Sequence, residues 1–174
     1  MTSFIIKSHE NRRLPLTWTR DPECAFCRIL KGEIPAGVVY EDDNVIAILD
    51  IMPLRRGHTL VIPKAHISRL SELPSDIAAS LGAVVSKVAR ALTEALDNTG
   101  LNVVCNQEYA QAVPHVHYHI IPAPILGGPA QGPKSIADLV LPTHSEMHQK
   151  EFEAREELDD DDAVVLVKGI RARL

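Results

Sequence analysis

Three histidines at strict alternation, His115-Val116-His117-Tyr118-His119, constrain this chain more than any other stretch of it. Pro114 stands before them and Pro122 just after. On an extended strand, side chains two residues apart share a face. The spacing therefore predicts a short β-strand with all three imidazoles on one surface, and with Val116, Tyr118 and Ile120 turned to a core. Histidine is neither a strong strand former nor a favoured core residue. A run of surface histidines, or one buried and hydrogen-bonded, is the plain alternative. Three in register point instead to chemistry.

The strand needs a sheet, and the chain supplies one. Its 174 residues, 45% of them hydrophobic, suffice for one domain with a proper core. Residues 1–20 show no periodicity and read as a flexible leader. From Cys24, Phe26, Ile29 and Leu30 mark a short helix stopped by Gly32 and Pro35. Val38–Tyr40 and Asn44–Asp50 read as a hairpin across Asp42-Asp43-Asn44, and His58–Ile62 as a third strand. Ile77, Leu81, Val84, Val85, Val88, Leu92 and Leu96 fall at helical spacing and predict one long helix over about 74–98. Leu101–Asn106 and the histidine segment complete five strands. The order predicts an α+β domain over 21–124 with a mostly antiparallel sheet. Residues 125–174 form an extension. It opens on the linker-like Gly127, Gly128, Pro129, Gly132 and Pro133, and the charged stretch 151–174 reads as a solvated tail helix, with a partner dock or dimer contact as the sharper alternative.

Composition narrows the function classes. A formal charge of −5 supplies no basic field for nucleic acid, and no apolar run is long enough to span a bilayer. Three cysteines, two of them as Cys24-x-x-Cys27, fit a reducing compartment better than an extracellular disulfide framework. The first residues carry no secretory h-region. Lys7, Arg12, Arg13 and Arg20 against Glu10 give only a weak transit-peptide pattern, so a cytoplasmic location is expected, with a nuclear one as the alternative.

A neutral imidazole is a good nucleophile towards phosphorus. His117 has a same-face imidazole on either side, about 6–7 Å away on a strand, close enough for each to meet a different phosphate oxygen. Asn106 and Gln111 lie just upstream and could donate to those oxygens. Positioning and charge stabilisation carry most of phosphoryl-transfer catalysis.

The segment His115–Ile121 resembles the defining motif of the histidine triad (HIT) nucleotide hydrolases and transferases. The resemblance runs from about Cys24 to Pro124 and includes Gly32-Glu33-Ile34-Pro35, Leu49-Asp50-Ile51 and Gly57-His58-Thr59-Leu60-Val61-Ile62-Pro63-Lys64-x-His66. It implies a five-stranded antiparallel sheet with two helices. It implies that His117 attacks an α-phosphate to form a nucleotidyl-histidine that water cleaves, with His119 contacting the same phosphate. Asn106 and Gln111 would hold its oxygens and Asp50 the ribose hydroxyls. Phe26, Ile29, Leu49, Ile51 and Leu60 would line a purine slot, although each alone reads as core. The third histidine resembles the hydrolase branches, nearest to the phosphoramidases that cleave AMP from amines, with diadenosine polyphosphate hydrolases as the alternative. A weakly catalytic nucleotide-binding scaffold is a further one. The phosphoramidase resemblance also implies a homodimer.

Cys24-x-x-Cys27 by itself could be a pair of reduced thiols on a short helix. Relatives that hold zinc with two such cysteines and two histidines imply a structural zinc on Cys24, Cys27, His66 and His115, with His58 as the competing fourth ligand. The chain departs from the family in the loop Asn106–Val113. There Ala110 stands for a glycine and Ala112 for a hydroxyl that would face the scissile bridge, and one hydrogen bond to the leaving group is lost.

Overall fold

The computed structural model describes residues 23–124, 149, 152–153 and 155–174. The leader and the Gly/Pro-rich stretch read from the sequence lie outside the described residues. Helix α1 (Ala25–Leu30) is followed by strands β1 (Val38–Glu41), β2 (Val45–Leu49) and β3 (Thr59–Pro63). A single 3-10 turn at Leu70–Glu72 leads to helix α2 (Ser75–Leu96), then β4 (Leu101–Cys105), β5 (Tyr118–Pro122) and helix α3 (Asp160–Arg171). The five strands form one sheet in the order β1-β2-β3-β5-β4, and every neighbouring pair is antiparallel.

The hairpin turn has a local cause. Asp42 Oδ1 accepts from the backbone N–H groups of Asn44 and Val45, both at 2.8 Å, which folds the chain back on itself. Strands β2 and β3 are buried along their whole length. Their continuous apolar runs follow from cover on both faces. On one face, Val45, Ala47, Leu49, Val61 and Ile120 pack against Leu81, Val84, Val88 and Leu92 of α2. On the other, Ile46, Ile48, Leu60 and Ile62 pack under Cys24 and Phe26. Gly57 takes a positive φ of 86°, which favours glycine at this turn, and a Cβ there would press on Leu96 Cδ1 at the end of α2.

Two sequence expectations change here. The regular strand begins at Tyr118, so His115 and His117 lie in the approach to it, His115 in a bend. Val116 N–H bonds Ile67 O at 2.7 Å in place of a ladder partner, and His115 N–H turns back to Val113 O at 2.8 Å. Alternation survives regardless: Val116, Tyr118 and Ile120 all belong to the α2 side.

The second change concerns the tail. Helix α3 starts at Asp160, later than the stretch 151–174 implied, because Asp159 caps it by accepting from Asp162 N–H at 3.0 Å. It is no solvated tail, since Leu166 and Ile170 are 3% and 0% exposed and join the core beside α2 and β1. Leu166→Ala is therefore expected to cost about 2–5 kcal/mol of unfolding free energy, measured by urea denaturation. A loss below about 0.5 kcal/mol, as at ordinary surface positions, would contradict this packing.

Candidate functional site

The approach to β5 and the strand itself carry His115, His117 and His119 past α1 and β3. Edge contacts of Phe26 with His115 and His117, at ring-centroid separations of 5.8 and 5.1 Å, fix two of the rings. His117 and His119 stand 4.8 Å apart, centroid to centroid. The three imidazoles have become unequal.

His117 Nδ1 lies 2.6 Å from the carbonyl oxygen of His115. A carbonyl only accepts, so Nδ1 carries the hydrogen and Nε2 keeps its lone pair. Burial pushes the pKa of His117 down, against the opposing pull of that carbonyl and of Asp50. It is thus neutral at neutral pH, with its unprotonated nitrogen set by the backbone.

His119 has the complementary arrangement. Leu54 N–H donates to His58 Nδ1 at 3.1 Å, and His58 Nε2 lies 3.0 Å from His119 Nδ1. Burial lowers the pKa of His58 to about 4, outweighing Asp50, whose Oδ2 lies 3.3 Å from its Nδ1. The Leu54 N–H aimed at Nδ1 assigns the hydrogen of a neutral His58 to Nε2. His119 then accepts at Nδ1 and carries its own hydrogen on Nε2. Burial lowers its pKa to about 2, with help from His117 and His58. One ring presents a lone pair and the next an N–H, which is the pair a phosphorus centre and its oxygen require.

Asp50 follows Ile46 and Ile48 on the histidine face, and its Oδ1 accepts from Met52 N–H at 2.9 Å. Phe26, Ile29 and Leu60 share the apolar cluster on that face. Leu49 does not. Period-two alternation turns it to the opposite side, where it packs in the α2 core and against Gly37. It also lines a cleft of about 1080 Å³ beside α3 that holds none of the histidines. The residue in register with Asp50 is Ile48, and counting back two from the carboxylate would have found it. Ile51, 63% exposed, lies at the rim shared with that cleft.

The loop before the histidines is braced from within. Gln111 is fully buried; its Oε1 accepts from Glu108 N–H at 2.7 Å and its Nε2 donates to Ser68 O at 2.9 Å. Its amide is engaged with backbone on both sides, whereas Asn106 stands half-buried just past β4. Ala110 adopts φ +56° and is buried, a left-handed conformation that costs a non-glycine residue about 1–2 kcal/mol. Ala110→Gly is expected to raise stability by roughly 0.5–1 kcal/mol, the strain relieved less the added chain entropy. Thermal melts at matched metal content test this, and a lowered Tm would contradict it.

A second cluster lies at the other end of the histidine row. Cys24 and Cys27, one turn apart, point to the same side of α1. His115 Nδ1 is 3.5 Å from Cys24 Sγ and 3.7 Å from Cys27 Sγ, and His66 Nδ1 is 3.1 Å from Cys27 Sγ. The four candidate ligand atoms all lie within 4.8 Å of one another. Zinc bonds of about 2.0–2.1 Å to nitrogen and 2.3 Å to sulfur place tetrahedral N and S ligands roughly 3.5 Å apart. The donor set fits in type, number and spacing. His115 Nε2–H donates to Pro63 O at 2.8 Å, which leaves Nδ1 unprotonated and aimed at the thiols. His66 Nε2 is buried and has no hydrogen-bond partner among the described residues. His58, the competing ligand, belongs to the cluster of Asp50 and His119 instead.

The HIT domain family model matches residues 31–124, and the chain belongs to that family. An uncharacterised HIT-like protein of Methanocaldococcus jannaschii is 48% identical over 101 residues, which are 57% of this chain and 78% of that protein. The adenosine 5′-monophosphoramidase of Candida albicans is 39% identical over 105 residues, 57% of this chain and 69% of that one. Among solved structures, a zinc-bound histidine triad family protein from Mycobacterium smegmatis aligns with a TM-score of 0.62 and 32% identity. It covers 86% of this chain and 94% of its own. No described helix is long and apolar enough to cross a membrane.

Proposed function

We propose that this protein hydrolyses purine nucleoside phosphoramidates of the AMP-amine type at the α-phosphate, through a nucleotidyl-histidine intermediate on His117. The observation that carries this reading is the opposed polarity of His117 and His119, set by the His115 carbonyl on one side and by the Leu54–His58 chain on the other. The phosphoramidase name of a relative supports the choice of amine leaving group.

The purine lies against Phe26, Ile29, Ile48 and Leu60, with Ile51 at the rim, and Asp50 accepts from the ribose hydroxyls. His117 Nε2 attacks the α-phosphorus; an N–P bond forms and the P–N bond to the amine breaks, the amine leaving with a proton taken from solvent. The Nε2–H of His119 donates to the phosphate, as does Asn106. Gln111 braces the loop between Asn106 and the histidines. Water then attacks the same phosphorus and returns a proton to solvent, the N–P bond breaks, AMP leaves, and His117 regains its lone pair. Cys24, Cys27, His66 and His115 would hold a zinc ion, which supplies structural cross-linking and, with four protein ligands, no open position for substrate.

Rapid quench of the protein with an AMP-amine, followed by intact mass, tests the reading. One adenylyl group should appear on the chain. No adduct together with no turnover would sink it. Diadenosine polyphosphate hydrolysis is the alternative, because the same two rings serve any leaving group on the α-phosphate.

A further inference from the structure

The C-terminal extension does more than fill the core. Leu158 N–H bonds Ile51 O at 2.9 Å, so the segment before α3 runs along the residue next to Asp50. Asp162 clamps the guanidinium of Arg56 through contacts of 2.6 and 3.0 Å, which ties the start of α3 to the loop between β2 and β3. Three residues before Leu158 stands Arg155, half-buried, its guanidinium 3.8 Å above the ring of Phe152 and its Nε donating to Phe152 O at 3.2 Å. Among the described residues it makes no ion pair. Its charge reaches the site, since Arg155 and Arg55 both disfavour protonation of His58, against Asp50. A cation held by a ring stack and a carbonyl, with no described carboxylate on it, keeps its charge available to a ligand.

We propose that Arg155 is a specificity-determining residue: the extension lays it along the Asp50–Ile51 rim, where it takes a second anionic group of the nucleotide, beyond the α-phosphate. The inference rests on the nucleotide reading above and deepens it. Arg155, together with Arg55, offsets the Asp50 carboxylate, which by itself would repel a further anion at this rim. The chemistry is that of a phosphate, borne either by the ribose or by the chain beyond the α-phosphate.

Titration calorimetry at low salt on the full chain separates these. The probes are AMP, adenosine 2′,5′-bisphosphate, adenosine 3′,5′-bisphosphate and ADP. At least one of the last three should bind about tenfold or more tightly than AMP, as a charge-assisted contact allows. A bisphosphate preference assigns the group to the ribose, and an ADP preference assigns it to the chain. R155Q should collapse that ratio towards one, and R155K should retain most of it. The inference is overturned if no probe outbinds AMP, or if the preference survives R155Q. Failure of AMP itself to bind overturns the nucleotide reading, and this inference with it.

Discussion

Replacing His117 by alanine is expected to lower kcat for AMP-amine hydrolysis by about 10³-fold or more, since loss of a nucleophile removes the covalent path and not just one contact. Binding of AMP should persist, because the apolar slot and Asp50 remain. The parent's pH profile should bear the same mark. The proposed mechanism uses His117 neutral, and its pKa is lowered from 6.5 by burial, so the acid limb of kcat/KM should fall below pH 6.5. His58 sharpens the sign. Its folded pKa of about 4 lies under the unfolded 6.5, so between those values the unfolded chain binds more protons and stability falls as pH falls. Above pH 6.5 that contribution is fully present. Activity in H117A within tenfold of the parent would remove His117 from the chemistry.

Stripping metal should have the largest effect on the fold. In the Cys24/Cys27/His66/His115 cluster the ion would join α1 to the end of β3 and to the approach to β5, segments otherwise linked there by Phe26 and a few hydrogen bonds. Structural zinc in small domains contributes on the order of 10 kcal/mol of apparent binding free energy. Even a fraction of that exceeds the cost of most single substitutions. Strong chelation, or Cys24→Ser, should lower Tm by more than about 10 °C, with a loss of several kcal/mol on the scale for a domain of this size. Elemental analysis of protein purified without added metal should give one zinc per chain. A Cys24→Ser protein that keeps both its zinc and its Tm would refute the ligand set.

The five strands and the long helix were legible because each rests on a local pattern, whereas the strand order β1-β2-β3-β5-β4 is a tertiary fact. Alternation along 115–120 set the faces, the stripe from Ile77 to Leu96 set α2, and the Asp42–Asn44 turn set the hairpin. What the sequence concealed depends on register or on distance. Leu49 and Ile48 are both apolar in a strand buried on both faces, so hydrophobicity could not rank them; only their phase relative to Asp50 could. Gln111 has the right chemistry for a phosphate, yet its amide closes a turn through Glu108 and Ser68. Ala110 in a glycine's place signalled an altered loop, and the positive φ is kept at the expense of strain. The tail looked polar because ten charged residues surround Leu166 and Ile170 over 155–173. That these two apolar residues enter the main core is a tertiary fact, invisible to a window of local composition.

The double displacement at His117 is the central claim, and the stereochemistry at phosphorus tests it most directly. An AMP-amine analogue with a chiral α-phosphorothioate, hydrolysed in isotopically labelled water, reports the number of in-line displacements whether or not an intermediate accumulates. Two successive displacements, by His117 and then by water, predict net retention of configuration. Net inversion would show a single direct attack by water and would contradict the nucleotidyl-histidine.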